Sequence, residues 1–456
     1  MHGHTAASPT EGQGRPRLEV ADVFRAHGDS YRLSHVVAPP ERAVMRAIEV
    51  CRTEALGGHL DKCDRCGYVD QAYNSCRNRH CPKCQALRQA KWVAERMARI
   101  LPTHYFHVVF TLPAELRPLA LRNKAVIYDL IFQAGARTLL DLAQDPKRLG
   151  GQLGITAVLH TWTRDLQLHP HLHCIVTGGG LTQDGQRWIS TKQHDYLFPV
   201  KVMGRLWRGK FMAGLQRAFD KNRLNLGGSS AHLEDPANRA YLKRCLYAKD
   251  WVVYTKPPFG GPRHVYQYLG RYTHRVAISN QRLIAMDEHG VRFATKDGRA
   301  TTLAHHEFIR RFLLHVLPGG FVKIRHFGLM ASGNVNSRLA VARRLLQPNR
   351  VSPAFAIVAI LLLSLLTRQR PTFSPAEQLA ASPTDPDEAD DLNDLHRALR
   401  TCPACGQGLL RACPLPSTLV PSPPGLCPEI RVKGIAAFQF GRLPNNSQCG
   451  VKVSLF

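Results

Sequence analysis

Six of the chain's thirteen cysteines fall between Cys51 and Cys84, and four of them form the pairs Cys63-x-x-Cys66 and Cys81-x-x-Cys84. A two-residue spacer lets both thiolates of a pair reach one tetrahedral zinc ion, and two such pairs complete a four-thiolate shell. Thirteen cysteines in 456 positions would give roughly 0.4 such pairs by chance; the chain has three, the third within CPACG near its C-terminus. A structural zinc is therefore expected on Cys63, Cys66, Cys81 and Cys84. The interleaved Cys51, His59, Cys76 and His80 are the right number and type of ligand for a second zinc.

Two shorter patterns could also do chemistry. In His171-Leu172-His173, on a run that reads as a strand, alternation puts both imidazoles on one face and the leucine on the other. That is a bidentate arrangement for a divalent cation. In YQYLGRYTHR, Tyr268 and Tyr272 are four residues apart and share one face of a helix, with His264 a turn earlier and Arg275 close to the same stripe. Each pattern alone is short enough to arise by chance.

Other zinc chemistries fail on spacing. A deaminase needs H-x-E ahead of P-C-x-x-C, whereas here the proline lies inside the pair, Cys81-Pro82-Lys83-Cys84, with no H-x-E upstream. His306-Glu307 could begin an HExxH helix, but its fifth position is Arg310. The chain also has no GxxxxGK[ST] loop, which fits a chemistry that needs no ATP.

The formal net charge of +27 is a footprint for a polyanion. It is concentrated, because Pro375 to His396 holds seven acidic residues and no Lys or Arg. A membrane is the weaker partner: the N-terminus lacks an apolar signal core, and the longest apolar run, Ala354 to Leu366, is too short to span a bilayer and contains Ser364. Cysteines in ligand spacing beside histidines indicate a reducing cytoplasm rather than a disulfide framework.

The elements that must position these groups are mixed. Residues 1–17 read as a loose polar tail, and 18–100 as a zinc-binding, DNA-recognition module with flanking amphipathic helices. From 101 to 346, YFHVVFTLP is a strand, AVIYDLIFQAGARTLLDLAQD a long helix, and GITAVLHTWTRD with HLHCIVTGGGL an antiparallel hairpin. Helices near 202–219 and 238–248, a strand at WVVYTKPP, the YQYLGRYTHR helix, three short strands between 276 and 304, the helix EFIRRFLLHVL and a basic helix at 338–346 follow. Strands and helices without strict alternation give an α+β class. Residues 347–456 read as an apolar helix, an acidic Pro-rich linker and an irregular C-terminal tail.

The order of these parts, and the wording CRTEALGGH, YNSCRNRHCPKCQ, FTLP, HPHLHCIVTGGGL, YLGRYTHR and EFIRRFLLHVLPGGFVKIRHFG, resembles the rolling-circle, two-tyrosine HUH transposases of bacterial insertion sequences, over about Leu18 to Leu346. The resemblance implies an HUH-nuclease domain, an antiparallel sheet with flanking helices, that nicks and transfers single DNA strands. It implies Tyr268 and Tyr272 as nucleophiles forming a 5′-phosphotyrosine, and His171 and His173 as ligands of a catalytic Mg2+ or Mn2+. The third ligand stays open among His160, Gln267 and His169. Arg271 and Arg275 would favour phenolate character in the tyrosines, and Arg77, Arg79, Lys83 and Arg88 are candidates for phosphate contacts. The expected partner is DNA, as single-stranded or hairpin-forming element ends, in the bacterial nucleoid. The alternatives are an HUH replication initiator or relaxase, and a non-enzymatic zinc-containing DNA-binding regulator.

Overall fold

A computed structural model describes residues 18–84, 99–256, 276–295, 298–347, 401–415 and 417. Tyr268, Tyr272, Gln267, Arg271, Arg275 and Arg88 lie outside the described residues, as do the apolar run at 354–366 and the acidic segment.

The chain opens with helices α1 (Val20–Ser34) and α2 (Pro39–Glu49), then a hairpin of β1 (Gly58–Cys63) and β2 (Val69–Tyr73). Both helix starts are local chemistry: the Asp22 carboxylate accepts the Glu19 N–H at 2.8 Å, and Pro39 and Pro40 occupy the first turn of α2, where no N–H is needed. There follow β3 (Tyr105–Thr111), α3 (Arg117–Arg122), α4 (Lys124–Gln144), β4 (Gln152–Trp162), β5 (Leu168–Leu181) and β6 (Trp188–Ser190). The chain continues through α5 (Val200–Asp220), α6 (Pro236–Tyr247), β7 (Val253–Lys256), β8 (Leu283–Asp287), β9 (Gly290–Ala294) and β10 (Ala300–Leu303). Last come α7 (His305–Leu314), β11 (Ile324–Gly328), α8 (Arg338–Leu346) and β12 (Leu410–Leu415).

The principal sheet is antiparallel in the order β11-β4-β5-β3-β7, with β6 added on β5. Alternation on β3 and β5 sends Phe106, Val108, Phe110, Leu172, Cys174 and Val176 to one face, where they are fully buried. There they meet the apolar sides of α4 and α5, through Ile131, Phe132, Trp207 and Phe211 among others. Burying each large apolar side chain contributes about 1.5–3 kcal/mol, so this face fixes the register of the hairpin that carries the histidines. The opposite face is divided. Helix α8 covers one end, packing Leu339 and Ala342 with Tyr105, Ile175 and Leu181, and the other end carries His107, His171 and His173.

A second core joins parts far apart in sequence. Val20, Phe24, Val44, Ile48, Cys51 and Cys81 pack with Val276, Ile278, Phe293, Phe308 and Phe312, and Phe24 meets Phe312 edge-on at 5.3 Å. The zinc module, read from sequence as its own unit over 18–100, is thus built into the wall formed by α7 and the β8–β10 sheet. Leu166, at the tip of the β4–β5 hairpin, is buried in this same core.

The stretch 401–415, assigned from sequence to the tail, returns to the other end of the chain. β12 pairs antiparallel with β1, Gly58 opposite Leu415 and Cys63 opposite Leu410, making a sheet in the order β12-β1-β2. Among the described residues no helix is long and apolar enough to cross a membrane.

Candidate active site and metal centres

The β4–β5 hairpin sets His160 opposite His171 and Val158 opposite His173. The turn between the strands is specified locally. Leu166 takes a left-handed conformation (φ 65°), and its N–H donates to Thr163 O at 3.2 Å. His315, just past α7, clamps the turn: its Nε2 lies 3.1 Å from Leu166 O, and its Nδ1 lies 3.2 Å from Thr161 Oγ1. One neutral tautomer satisfies both bonds, with Nε2–H donating and Nδ1 accepting.

Beneath the histidines, Leu172 points into the core against α4. Helix and strand approach so closely there that a Cβ on Gly135 would lie 2.9 Å from Leu172 Cδ2 and 3.3 Å from Phe110 Cδ2. Above them, one potential ligand nitrogen from each of His160, His171 and His173 lies within 4.8 Å of the others. His160 is buried, while His171 and His173 keep part of their surface open.

Second partners orient the rings. His171 Nδ1 lies 2.7 Å from His169 O, so Nδ1 carries the proton and Nε2 offers a lone pair. His173 Nδ1 lies 2.8 Å from His107 Nε2 on β3. Burial pushes His171 and His107 down to about 4 and His173 well below the usual imidazole range, so all three are uncharged near neutral pH. Neutral imidazole is the form that binds a metal. The three nitrogens thus fit one borderline divalent cation. Of the third-ligand candidates, His160 stands in the cluster, whereas His169 Nδ1 accepts from the Arg117 guanidinium at 3.0 Å. His107 escaped the sequence reading because its role depends on strand pairing; its place on the odd-numbered face of YFHVVFTLP was the only available signal.

The cysteines group otherwise than their spacing suggests. Cys81 and Cys84 converge with Cys51 and Cys76, all four sulfurs within 4.8 Å, with Cys51–Cys84 at 3.5 Å and Cys76–Cys84 at 3.6 Å. Zn–S bonds of about 2.3 Å in a tetrahedron put sulfurs about 3.8 Å apart, so this set fits a structural zinc. Cys63 and Cys66 instead lie with Cys402 and Cys405. The reason is geometric. Cys63 ends β1, about 17 Å of extended strand from Gly58, while Cys81 and Cys84 stay near the end of α2. The expectation that the two neighbouring pairs share one ion is corrected accordingly.

His59 and His80 are not in either cluster. His59 Nε2 faces the Asp61 carboxylate at 3.3 Å on β1. His80 is buried, with Nε2 accepting the Leu317 N–H at 3.1 Å and Nδ1 3.1 Å from Asn78 Oδ1. Burial pushes it down to about 3.

Two of the proposed phosphate-binding cations are engaged inside the protein. Arg79 donates from both terminal nitrogens to backbone carbonyls, Phe321 O and Pro318 O, each at 2.6 Å. Lys83 is paired with the Glu19 carboxylate, and both side chains are largely buried. Arg79 thus joins the zinc module to the segment before β11, whereas Lys83 ties the module to its own N-terminal end; both are corrected as DNA contacts. Arg77 is exposed.

Comparison with known proteins matches two stretches of the chain. Residues 23–112 match a family described as "Transposase zinc-binding domain", and residues 154–338 one described as "Putative transposase". The chain is 46% identical over 398 residues to "Putative transposase y4qJ" of Sinorhizobium fredii (strain NBRC 101917 / NGR234), covering 86% of this chain and 93% of that one. It is 29% identical over 308 residues to "Transposase for insertion sequence element IS801" of Pseudomonas savastanoi pv. phaseolicola, covering 64% and 72%. No solved structure matches it. With its two halves matched in order and a relative aligned over nearly its whole length, the chain belongs to the IS91/IS801 family of transposases.

Proposed function

We propose that the protein nicks one DNA strand at the ends of its insertion sequence and transfers it by a rolling-circle route. Tyr268 and Tyr272 serve as nucleophiles, and His160, His171 and His173 hold one divalent cation, Mg2+ or Mn2+. The observation that carries this reading is the convergence of three imidazole nitrogens within 4.8 Å on adjacent strands of a sheet packed from behind. When bound, the cation withdraws charge from a non-bridging oxygen of the scissile phosphate.

The protein's own groups do the rest. The His169 carbonyl and His107 orient the two strand histidines. A tyrosine oxygen attacks phosphorus, the bond from phosphorus to the 3′ oxygen breaks, and the phenol proton is replaced on the released 3′-OH through solvent. The product is a 5′-phosphotyrosine, in which the diester is conserved, so a 3′-OH attacking it restores DNA without ATP. Free tyrosine has a pKa near 10, and Arg271 and Arg275, which flank Tyr272 in sequence, favour the phenolate. Two nucleophiles let one hold the donor strand while the other cuts again. Arg77, which is exposed, contacts the backbone of single-stranded or hairpin-forming ends in the bacterial nucleoid.

The test uses purified protein and a labelled single-stranded element end with Mn2+ or Mg2+. Wild type should form an adduct that survives denaturation, and each of Tyr268→Phe and Tyr272→Phe should retain part of it. The double substitution and His171→Ala should abolish it while DNA binding persists. An adduct formed at full rate by the double variant would overturn the reading.

A further inference from the structure

β12 is held at an exposed place. It covers the edge of β1 with six backbone pairs, yet none of its residues is buried. A strand with so little apolar burial is not retained by pairing alone.

At the end of this pairing four sulfurs meet. Cys63 and Cys405, 342 residues apart, lie 3.8 Å from one another, and Cys66 and Cys402, 336 residues apart, lie 3.6 Å apart. All four are within 4.8 Å. A disulfide needs about 2.05 Å, whereas tetrahedral zinc with bonds of about 2.3 Å needs about 3.8 Å.

The two halves are built alike. Cys63-Asp-Arg-Cys66-Gly67 and Cys402-Pro-Ala-Cys405-Gly406 share the C-x-x-C-G pattern, and both glycines are left-handed, φ 72° and 64°. In each, a backbone N–H two or three residues on points at a sulfur: Arg65 N to Cys63 Sγ at 3.4 Å and Gly408 N to Cys405 Sγ at 3.3 Å. The halves also bind each other. Asp64 N donates to Leu409 O at 3.2 Å, and Leu409 N to Asp64 Oδ1 at 2.9 Å. A Cβ on Gly408 would lie 2.3 Å from Cys63 Sγ, so only glycine allows the approach.

We propose that Cys63, Cys66, Cys402 and Cys405 bind a second structural zinc, which clasps the C-terminal segment to the N-terminal module and completes a three-stranded zinc ribbon from residues 58–73 and 401–415. Half of this ligand set lies far beyond the zinc-binding domain matched at 23–112. The ion replaces the hydrophobic core that so small a sheet lacks.

Native mass spectrometry of the full chain should find two zinc ions, and the double variant Cys402→Ser/Cys405→Ser should hold one. Gly408→Val, which keeps all four thiols, should also lose the second ion. In full-length protein with a specific protease site inserted between residues 380 and 381, the cut C-terminal fragment should stay with the body until a zinc chelator releases it. One zinc in wild type, or two in the cysteine double variant, would overturn the proposal. So would a fragment that leaves on cutting, or one that resists chelator but is freed by reductant.

Discussion

His173 shares a hydrogen bond of 2.8 Å with His107, ring nitrogen to ring nitrogen, across the β3–β5 pairing. For His173 to present Nε2 to a metal, the shared proton must sit on its own Nδ1 and be donated to His107 Nε2. In that arrangement the adjacent strand sets the tautomer of His173. His107→Phe, which removes the acceptor, should raise the Mn2+ concentration for half-maximal nicking about 10- to 100-fold. His107→Gln, whose side-chain carbonyl can accept, should recover part of the loss. Equal metal requirements in all three proteins would refute the orienting role.

The approach of α4 to the sheet can be tested at Gly135. Alanine there gains helix propensity, worth about 1 kcal/mol, but its Cβ meets Leu172 Cδ2 at 2.9 Å and Phe110 at 3.3 Å. Overpacking of this kind costs about 1–3 kcal/mol, so Gly135→Ala should be destabilising overall and should weaken metal-dependent nicking by displacing the strand between His171 and His173. Adding Leu172→Val should relieve the clash. The decisive quantity is the coupling free energy from denaturant melts of the four proteins; additive effects would rule out the contact as the cause.

Cys51 and Cys81 sit in the core that also holds Leu166 at the tip of the histidine hairpin. Loss of the zinc on Cys51, Cys76, Cys81 and Cys84 should therefore reach the active site. Cys81→Ser should lower stability by more than about 4 kcal/mol and reduce nicking in proportion to the unfolded fraction. Calorimetry showing an unchanged main transition would separate that zinc from the catalytic body.

His315 makes stability depend on pH. Burial pushes its pKa down to about 3 from 6.5. Above pH 6.5 neither folded nor unfolded chain is protonated there, and the residue has no pH effect. As pH falls from 6.5 towards 3 only the unfolded chain takes up the proton, so stability drops by up to about 1.4 kcal/mol per pH unit. His315→Gln should be less stable than wild type at pH 7.5 but lose less on acidification to pH 4.5. Parallel urea-midpoint curves for the two proteins would contradict this.

The sheet that carries the histidines was legible because its signals are local. The alternation of HLHCIV places Leu172 inward and both histidines outward, and turn residues mark the hairpin and the β8–β10 strands. The helix start at Pro39 and Pro40 is equally direct. What escaped depends on residues brought together from afar. Cysteine spacing identifies a pair but cannot choose its partner, which is why spacing alone joins Cys81 and Cys84 to their neighbours in sequence and not to Cys51 and Cys76. The shared C-x-x-C-G pattern, absent from Cys81-Pro-Lys-Cys84-Gln, was the available clue to Cys402 and Cys405. Arg79 reads as a free cation because nothing near it in sequence announces the carbonyls of Pro318 and Phe321.

The pairing of β1 with β12 also orders events in time. A ribosome delivers β1 early, but its second edge can be filled only once residue 415 has been made, and such distant contacts form late in folding. Until then β1 keeps a row of unpaired backbone groups open to other chains. A product stopped anywhere before residue 401 would keep that edge permanently, with Cys63 and Cys66 beside it, and would be a better substrate for aggregation and proteolysis than the completed chain.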